Sequence, residues 1–223
     1  KRAAFGTESK LYTFFGGVNY DITPVTSTVT VTNGLNTTSG STRIVVSTAN
    51  TLETGDFVEF TSMAATVGGN IFLTSGSDFA VSSIDGNSFA IETSTTAAAT
   101  SAGTGTVTAN FLLPTGTTDS VAGLGWNAGY YGQSTYGTPR SASDIVISPR
   151  QWKLDTWGED FVANDRGGRV YYWETSAGPD ERAVLISAAP SISNSIVVSQ
   201  EDRHLICLAT TEQATGNFNP LLV

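Results

Sequence analysis

The sequence predicts an all-β chain in which antiparallel hairpins form partial β-propeller blades, with a small β-barrel inserted among them. Three observations carry that expectation. Of the 223 residues, 33 are Thr and 24 are Ser, while only 14% are charged; such a composition favours strands and turns over helices. Apolar residues alternate in short runs that turn dipeptides close. A hairpin pattern also recurs: FVANDRGGRVYYWE (161–174) is echoed 35 residues later by IVVSQEDRHLICLA (196–209), each reading as strand, charged four-residue turn, strand. AAFGTESKLYTFFG (3–16) has the same form, with Thr7 to Lys10 as its turn. Hairpins repeated at this spacing suggest propeller blades, which bury a face only against their neighbours.

In chain order, residues 1–24 read as propeller strands and 25–110 as the inserted β-barrel. The barrel segment holds one basic residue, Arg43, against six acidic ones, and short strands fill it. TSTVTVT (26–32) stops at Asn33-Gly34, and TRIVVS (42–47), DFVEF (56–60), NIFL (70–73) and DFAVSSI (78–84) follow. Asp85-Gly86-Asn87 then leads into SFAIE (88–92), the strongest hairpin signal in the chain, because Asp-Gly tolerates the positive φ of a tight turn. TSTTAAATSAGTG (93–105) reads as a low-complexity loop before a last strand, GTVTA. Residues 111–143 are rich in Gly, Tyr and Ser and read as an ordered loop whose aromatics pack. From 144 to 223 charge returns with Trp152, Trp157 and Trp173, and blades resume. Outside the barrel and loop roughly 100 residues remain, enough for two to three blades where propellers have roughly four to eight. The chain is therefore expected to be part of a longer translated one, an expectation that the missing initiator Met and the apolar ending GNFNPLLV share.

Charge and thiol content exclude several function classes. A formal net charge of -9 disfavours phosphate neutralisation, so DNA is expected as a passing neighbour at most, without specific binding. A single Cys207 makes neither an internal disulfide, a CxxC redox pair nor a cysteine zinc site. No apolar run approaches the ~18 residues of a membrane span, and KRAAFG lacks the apolar stretch of a signal peptide, so no membrane insertion is expected.

The candidate chemistries each meet a structural alternative. His204 and Cys207 lie three apart in an expected strand, so period-two alternation sends them to opposite faces and disfavours a Cys–His dyad. Gly123-Leu-Gly125-Trp-Asn-Ala128 fits a relaxed dinucleotide fingerprint, but no apolar strand precedes it and GYYG cannot open a helix. Asp155, Glu159, Asp160 and Asp165 form the densest carboxylate group, interleaved with Arg150, Lys153, Arg166 and Arg169; this reads as a charge-paired surface or subunit interface. Asp85-Gly86-Asn87 lacks the further acids of a calcium loop and reads as a turn. No catalytic, cofactor-binding or metal-ligating residue is assigned. The candidate interface and packing residues are Trp126, Tyr130, Tyr131, Trp152, Trp157, Trp173, Asp155, Glu159, Asp160, Arg166 and Arg169.

Five segments, GTESKLY (6–12), DITP (21–24), GWNAGYYGQSTYGTPR (125–140), WKLDTWGEDFVANDRGGRVYYWE (152–174) and APSISNSIVVSQEDRHLICLAT (189–210), resemble in this order the β-propeller tail nozzle, or tail tubular, proteins of short-tailed bacteriophages. The resemblance covers roughly residues 1–24 and 121–223. Within residues 25–110, the order GDFVEF (55–60), DFAVSSIDGNSFAIE (78–92) resembles a small β-barrel module inserted in phage virion proteins and is similar to the first catalytic-cysteine half-domain of ubiquitin-activating enzymes, with no catalytic cysteine here. The resemblance implies a non-enzymatic virion component, a homo-oligomeric ring subunit at the tail tip. Such a ring meets other tail proteins, continues the DNA channel, and takes part in genome ejection after contact with the host surface. Two other classes stand beside it: a carbohydrate-binding adhesin using Trp126, Tyr130 and Tyr131, and a polysaccharide depolymerase using the Asp155–Asp165 carboxylates.

Overall fold

The computed structural model describes residues 2–61, 67–71, 73, 76–103, 105–118, 121–122, 146–147 and 149–222. Every regular element among them is a strand, so the all-β expectation holds. Three small antiparallel sheets and one large curled sheet account for nearly all of the strands.

The first small sheet is a meander of β1 (Ala3–Gly6), β2 (Leu11–Phe15) and β3 (Val18–Asp21). Its first turn is closed by the Thr7 amide donating to the Lys10 carbonyl at 2.7 Å, with the Thr7 hydroxyl oxygen accepting from the Lys10 amide. The second sheet runs β14 (Trp152–Trp157), β15 (Asp160–Asp165), β16 (Val170–Trp173) and β17 (Val184–Leu185). The third contains β18 (Ser193–Val198), β19 (Leu205–Thr211) and β20 (Phe218–Asn219). The repeated hairpins read from the sequence are thus β1–β2, β15–β16 and β18–β19.

These three sheets stack face to face, and strand alternation explains how. In the middle sheet Phe161, Ala163, Tyr171 and Trp173 point one way, onto Leu11, Ile22 and Ala4 of the first sheet and its exit. Val162, Val170 and Tyr172 point the other way, onto Ile196, Val198, Leu205 and Cys207 of the third. A sheet covered on both faces loses the alternating polar positions of a half-exposed one, which is why Phe161, Val162 and Ala163 are all buried. Gly6 is a packing requirement: a Cβ there would collide with the Trp152 ring, whose Nε1 donates to the Thr7 carbonyl at 2.8 Å.

The large sheet is made of β4 (Val25–Thr32), β5 (Leu35–Thr37), β6 (Arg43–Ser47), β7 (Phe57–Thr61), β8 (Asp78–Asp85), β9 (Ser88–Glu92), β10 (Ser101–Ala102) and β11 (Thr106–Leu112). Its order is β10-β5-β6-β9-β8-β7-β11-β4. The two ends of that order are continuous. β4 and β5 are one strand bent at Asn33-Gly34, and β10 and β11 are one strand bent at Gly103–Gly105. The register Thr32↔Thr106 continues across both bends as Asn36↔Ala102. The sheet therefore curls closed around its own core of Val31, Ile44, Val46, Val58, Phe60, Val81, Phe89, Ile91, Val107 and Phe111. At the bend Asn33 takes a φ of 52°, and a Cβ on Gly103 would strike the Asn33 carbonyl.

Several local expectations change. β5 and β10 lie in segments without a strand signal, β10 within the stretch read as a low-complexity loop. Of NIFL, Ile71 contributes one isolated bridge to Val67 around the Gly68–Asn70 turn. β11 extends to Leu112, into the stretch read as the Gly/Tyr loop. Two short paired strands, β12 (Val121–Ala122) and β13 (Val146–Ile147), flank residues 123–145, so the fingerprint-like glycines, Trp126, Tyr130 and Tyr131 lie outside the described residues.

No described residue belongs both to the barrel core and to either core of the stack. A polypeptide comprising residues 25–112 alone is accordingly expected to melt cooperatively as a β protein; a non-cooperative thermal profile by circular dichroism would contradict independent cores.

Candidate functional site

The aromatics and acids singled out in the second half of the chain assemble around β14–β16. Trp173 is 2% exposed, stacks on Phe161 at 5.1 Å and donates its Nε1 to the Glu181 carbonyl at 2.9 Å. Trp157 packs on the other face, beside Val162 and Ile196. With Trp152 on Thr7, all three tryptophans hold sheets together.

The carboxylates nearby are occupied by backbone and hydroxyl donors. Asp155 accepts from the Val198 amide at 2.7 Å, tying β14 to β18, while its other oxygen accepts from the Thr156 amide at 2.8 Å. Asp160 accepts from the Thr175 amide at 2.7 Å and from the Tyr172 hydroxyl. Partial burial opposes the Asp160 charge, but the donors from Tyr172 and Thr175 outweigh it and lower its pKa. The same bond, aided by burial, pushes Tyr172 up to about 12. Glu159 is exposed, and its backbone carbonyl accepts from the Thr175 hydroxyl. With Arg2, Phe161 and Trp173, these three acids line a cleft of about 300 Å³. Arg2 lies over the Phe15 and Trp173 rings, at 4.7 and 5.4 Å, and donates to the Thr175 carbonyl.

The expected charge pairing is largely replaced. Among the described residues of this group, the ion pair formed is Arg150 with Asp165 at 3.2 Å. Arg166 donates to Gln151 instead, and Arg169 is exposed, its backbone carbonyl receiving the Asn164 amide. The reason is local: strand ends leave unpaired amides, and a short carboxylate satisfies them more directly than a long cation reaches it. His204 is exposed in the β18–β19 turn, whereas Cys207 is half-buried in the third-sheet core, and burial raises its thiol pKa. Asp85 accepts from the Asn87 amide and the Ser88 hydroxyl, as a turn residue does.

A second constellation was not singled out in the sequence. Glu59 and Asp78 face each other across β7 and β8 in the barrel wall. Arg182, just before β17, reaches both, at 3.1 Å through Nε and 2.8 Å through Nη2. Lys10 binds Asp78 and, at 2.7 Å, Asp21, which Arg182 also approaches at 3.5 Å. The five side chains are between 10% and 21% exposed. Arg182 further donates to the Thr23 carbonyl at 3.0 Å, and Lys10 sits 4.6 Å over the Phe57 ring. One signal was available in the sequence: a segment with six acids and one Arg must find its cations elsewhere.

The two aspartates behave oppositely. Burial would raise Asp21, but hydrogen bonds with Asp78, Lys10 and Thr23 outweigh it and hold its carboxyl at about 2. Burial and the bond to Asp21 instead raise Asp78, against the pull of Lys10 and Arg182.

No protein-family model matches the chain, and a comparison with curated proteins gives no match. Among solved structures the chain is similar to "Phage phi92 endosialidase" with a TM-score of 0.34 and 16% identity, over 94% of this chain and 33% of that one. The chain thus spans about a third of that protein's length, and a likeness at this score carries no weight for fold or function.

The opposed shifts predict a two-sided pH response at the five-residue cluster. Asp21, with its lowered value, contributes stability above its unfolded range that is lost as pH falls towards about 2. Asp78, with its raised value, contributes stability present below its unfolded range and lost as pH rises through its folded value. Carbon-detected NMR titration should place the Asp21 midpoint near 2 and that of Asp78 above 3.8; two midpoints together at 3.8 would contradict the shared hydrogen bond.

Proposed function

We propose that the chain is a structural component of a bacteriophage tail, a subunit of a homo-oligomeric ring at the tail tip beside the DNA exit path. The observation that carries this reading is how the three-sheet stack ends. On the outer face of the third sheet Val197 and Ile206 sit opposite each other, 46% and 39% exposed. On the outer face of the first, Phe5, stacked on Tyr12, and Phe14 are 39% and 41% exposed. Each interior face of the stack is covered by a neighbouring sheet, so apolar residues at both ends favour continuation of the stack by other chains.

Two further observations support a non-enzymatic role. Both oxygens of Asp155 and of Asp160 already accept hydrogen bonds that hold the fold, and Glu174, which lines a cleft with Glu159, accepts from the Ser176 hydroxyl. A glycosidase needs a pair. The five segments that resemble tail nozzle proteins in the same sequence order point the same way, and a net charge of -9 suits a wall past which DNA slides without binding. Contacts with other tail proteins and with the host surface belong to this reading.

Native mass spectrometry and sedimentation test it. The protein is expected to form discrete oligomers at micromolar concentration, and Val197→Asp combined with Ile206→Asp is expected to yield a folded monomer. A monomeric wild type, or hydrolysis of a host polysaccharide that Glu159→Gln abolishes without unfolding, would overturn the proposal.

A further inference from the structure

The barrel is joined to the stack by a narrow neck. The chain enters at Thr23-Pro24-Val25 and leaves at Leu112-Leu113, where the Leu113 amide donates to the Pro24 carbonyl at 2.9 Å. A register shift between Phe111 and Leu112 marks a β-bulge at the exit, and proline fixes the entrance. Both devices end regular pairing at the place where one unit gives way to the other.

Beyond the neck, hydrogen bonds and ion pairs between described residues seat the barrel. Thr115, past the exit, donates its amide to Asp56 at 2.8 Å and its hydroxyl to the Gly55 carbonyl at 2.9 Å. A further attachment among the described residues is the cluster of Lys10, Asp21, Glu59, Asp78 and Arg182, with Phe57 beneath the Lys10 ammonium. Lys10 and Asp21 belong to the first sheet and its turn, Arg182 to the approach to β17, and Glu59 and Asp78 to the barrel. Apolar packing is non-directional and tolerates sliding, whereas this cluster fixes one orientation and fails stepwise when a charge is lost.

We propose that the barrel is a hinged module, with its hinge at the Pro24–Val25 and Leu112–Leu113 neck, and that the five-residue charge cluster is the latch that holds it in one seat on the sheet stack. Arg182 is the central residue, because among the described residues it alone bonds both Glu59 and Asp78. Without it Glu59 and Asp78 remain side by side as like charges, while Lys10 engages Asp78 and not Glu59. Arg182→Lys should restore little, since an ammonium is a point charge and cannot reproduce a fork to two carboxylates and the Thr23 carbonyl. The latch is a property of this chain whether or not the chain forms a ring.

Amide hydrogen exchange on the intact chain tests the proposal. In Arg182→Gln, and separately in Asp78→Asn, the amides of Leu113 and Thr115 should exchange roughly tenfold faster or more. In the same samples Val46 and Phe89 in the barrel and Val162 in the stack should keep wild-type protection. Unchanged exchange at Leu113 and Thr115 in both variants would overturn the latch. Loss of protection at Val46, Phe89 and Val162 together with the neck would overturn the hinge, because barrel and stack would then open as one unit.

Discussion

Two carboxylates set side by side in a barrel wall dictate much of how this molecule is put together. Glu59 and Asp78 are cross-strand neighbours, whereas the barrel's own Arg43 lies on β6, opposite Glu92 on β9. Leaving both charged and unpaired, with their side chains only about a tenth exposed, would cost several kcal/mol. Cations from outside the barrel resolve the conflict, and the two that do so, Lys10 and Arg182, come from opposite ends of the chain. The charge problem of one unit is thereby solved by the other, and its solution also fixes how the two units meet.

The stack obeys a different rule. Its order is set by period-two alternation in the middle sheet, which sends Phe161, Ala163, Tyr171 and Trp173 to the first sheet and Val162 and Val170 to the third. Polar groups complete the joints that apolar packing leaves. Asp155 binds the Val198 amide, and buried Asn164 donates its side-chain amide to carbonyls of its own turn and of Ser193. Stack and barrel thus use opposite means of attachment: apolar faces with polar seams within the stack, a polar seat between stack and barrel.

Much of the architecture was legible in the residues, and the gaps have physical reasons. The hairpins β1–β2, β8–β9, β15–β16 and β18–β19 announce themselves by apolar runs closed by turn residues, although Asp85-Gly86-Asn87 turns without the positive φ expected there and the β18–β19 turn places Arg203 at 52°. β5 and β10 could not be read, because LNT and SA have no pattern of their own and become strands by continuing their bent neighbours. The packing roles of Trp152, Trp157 and Trp173 followed from aromatic content, but the Asp155 and Asp160 bonds did not, since which backbone amides a sheet leaves open is decided by tertiary register. The cluster at Arg182 was least legible of all. Its partners lie up to 161 residues apart, and only the charge imbalance of the barrel segment hinted at it.

The central claim is that charge holds barrel and stack together, and a double-mutant cycle on Arg182 and Asp78 tests it most directly. The quantity to read is the opening free energy at the Leu113 amide in wild type, Arg182→Gln, Asp78→Asn and the double variant. The account predicts strong coupling, with the double variant costing less than the two single ones together by ~1–3 kcal/mol. Additivity within ~0.3–0.5 kcal/mol would contradict it, because residues that hold one seat jointly cannot lose their contributions independently.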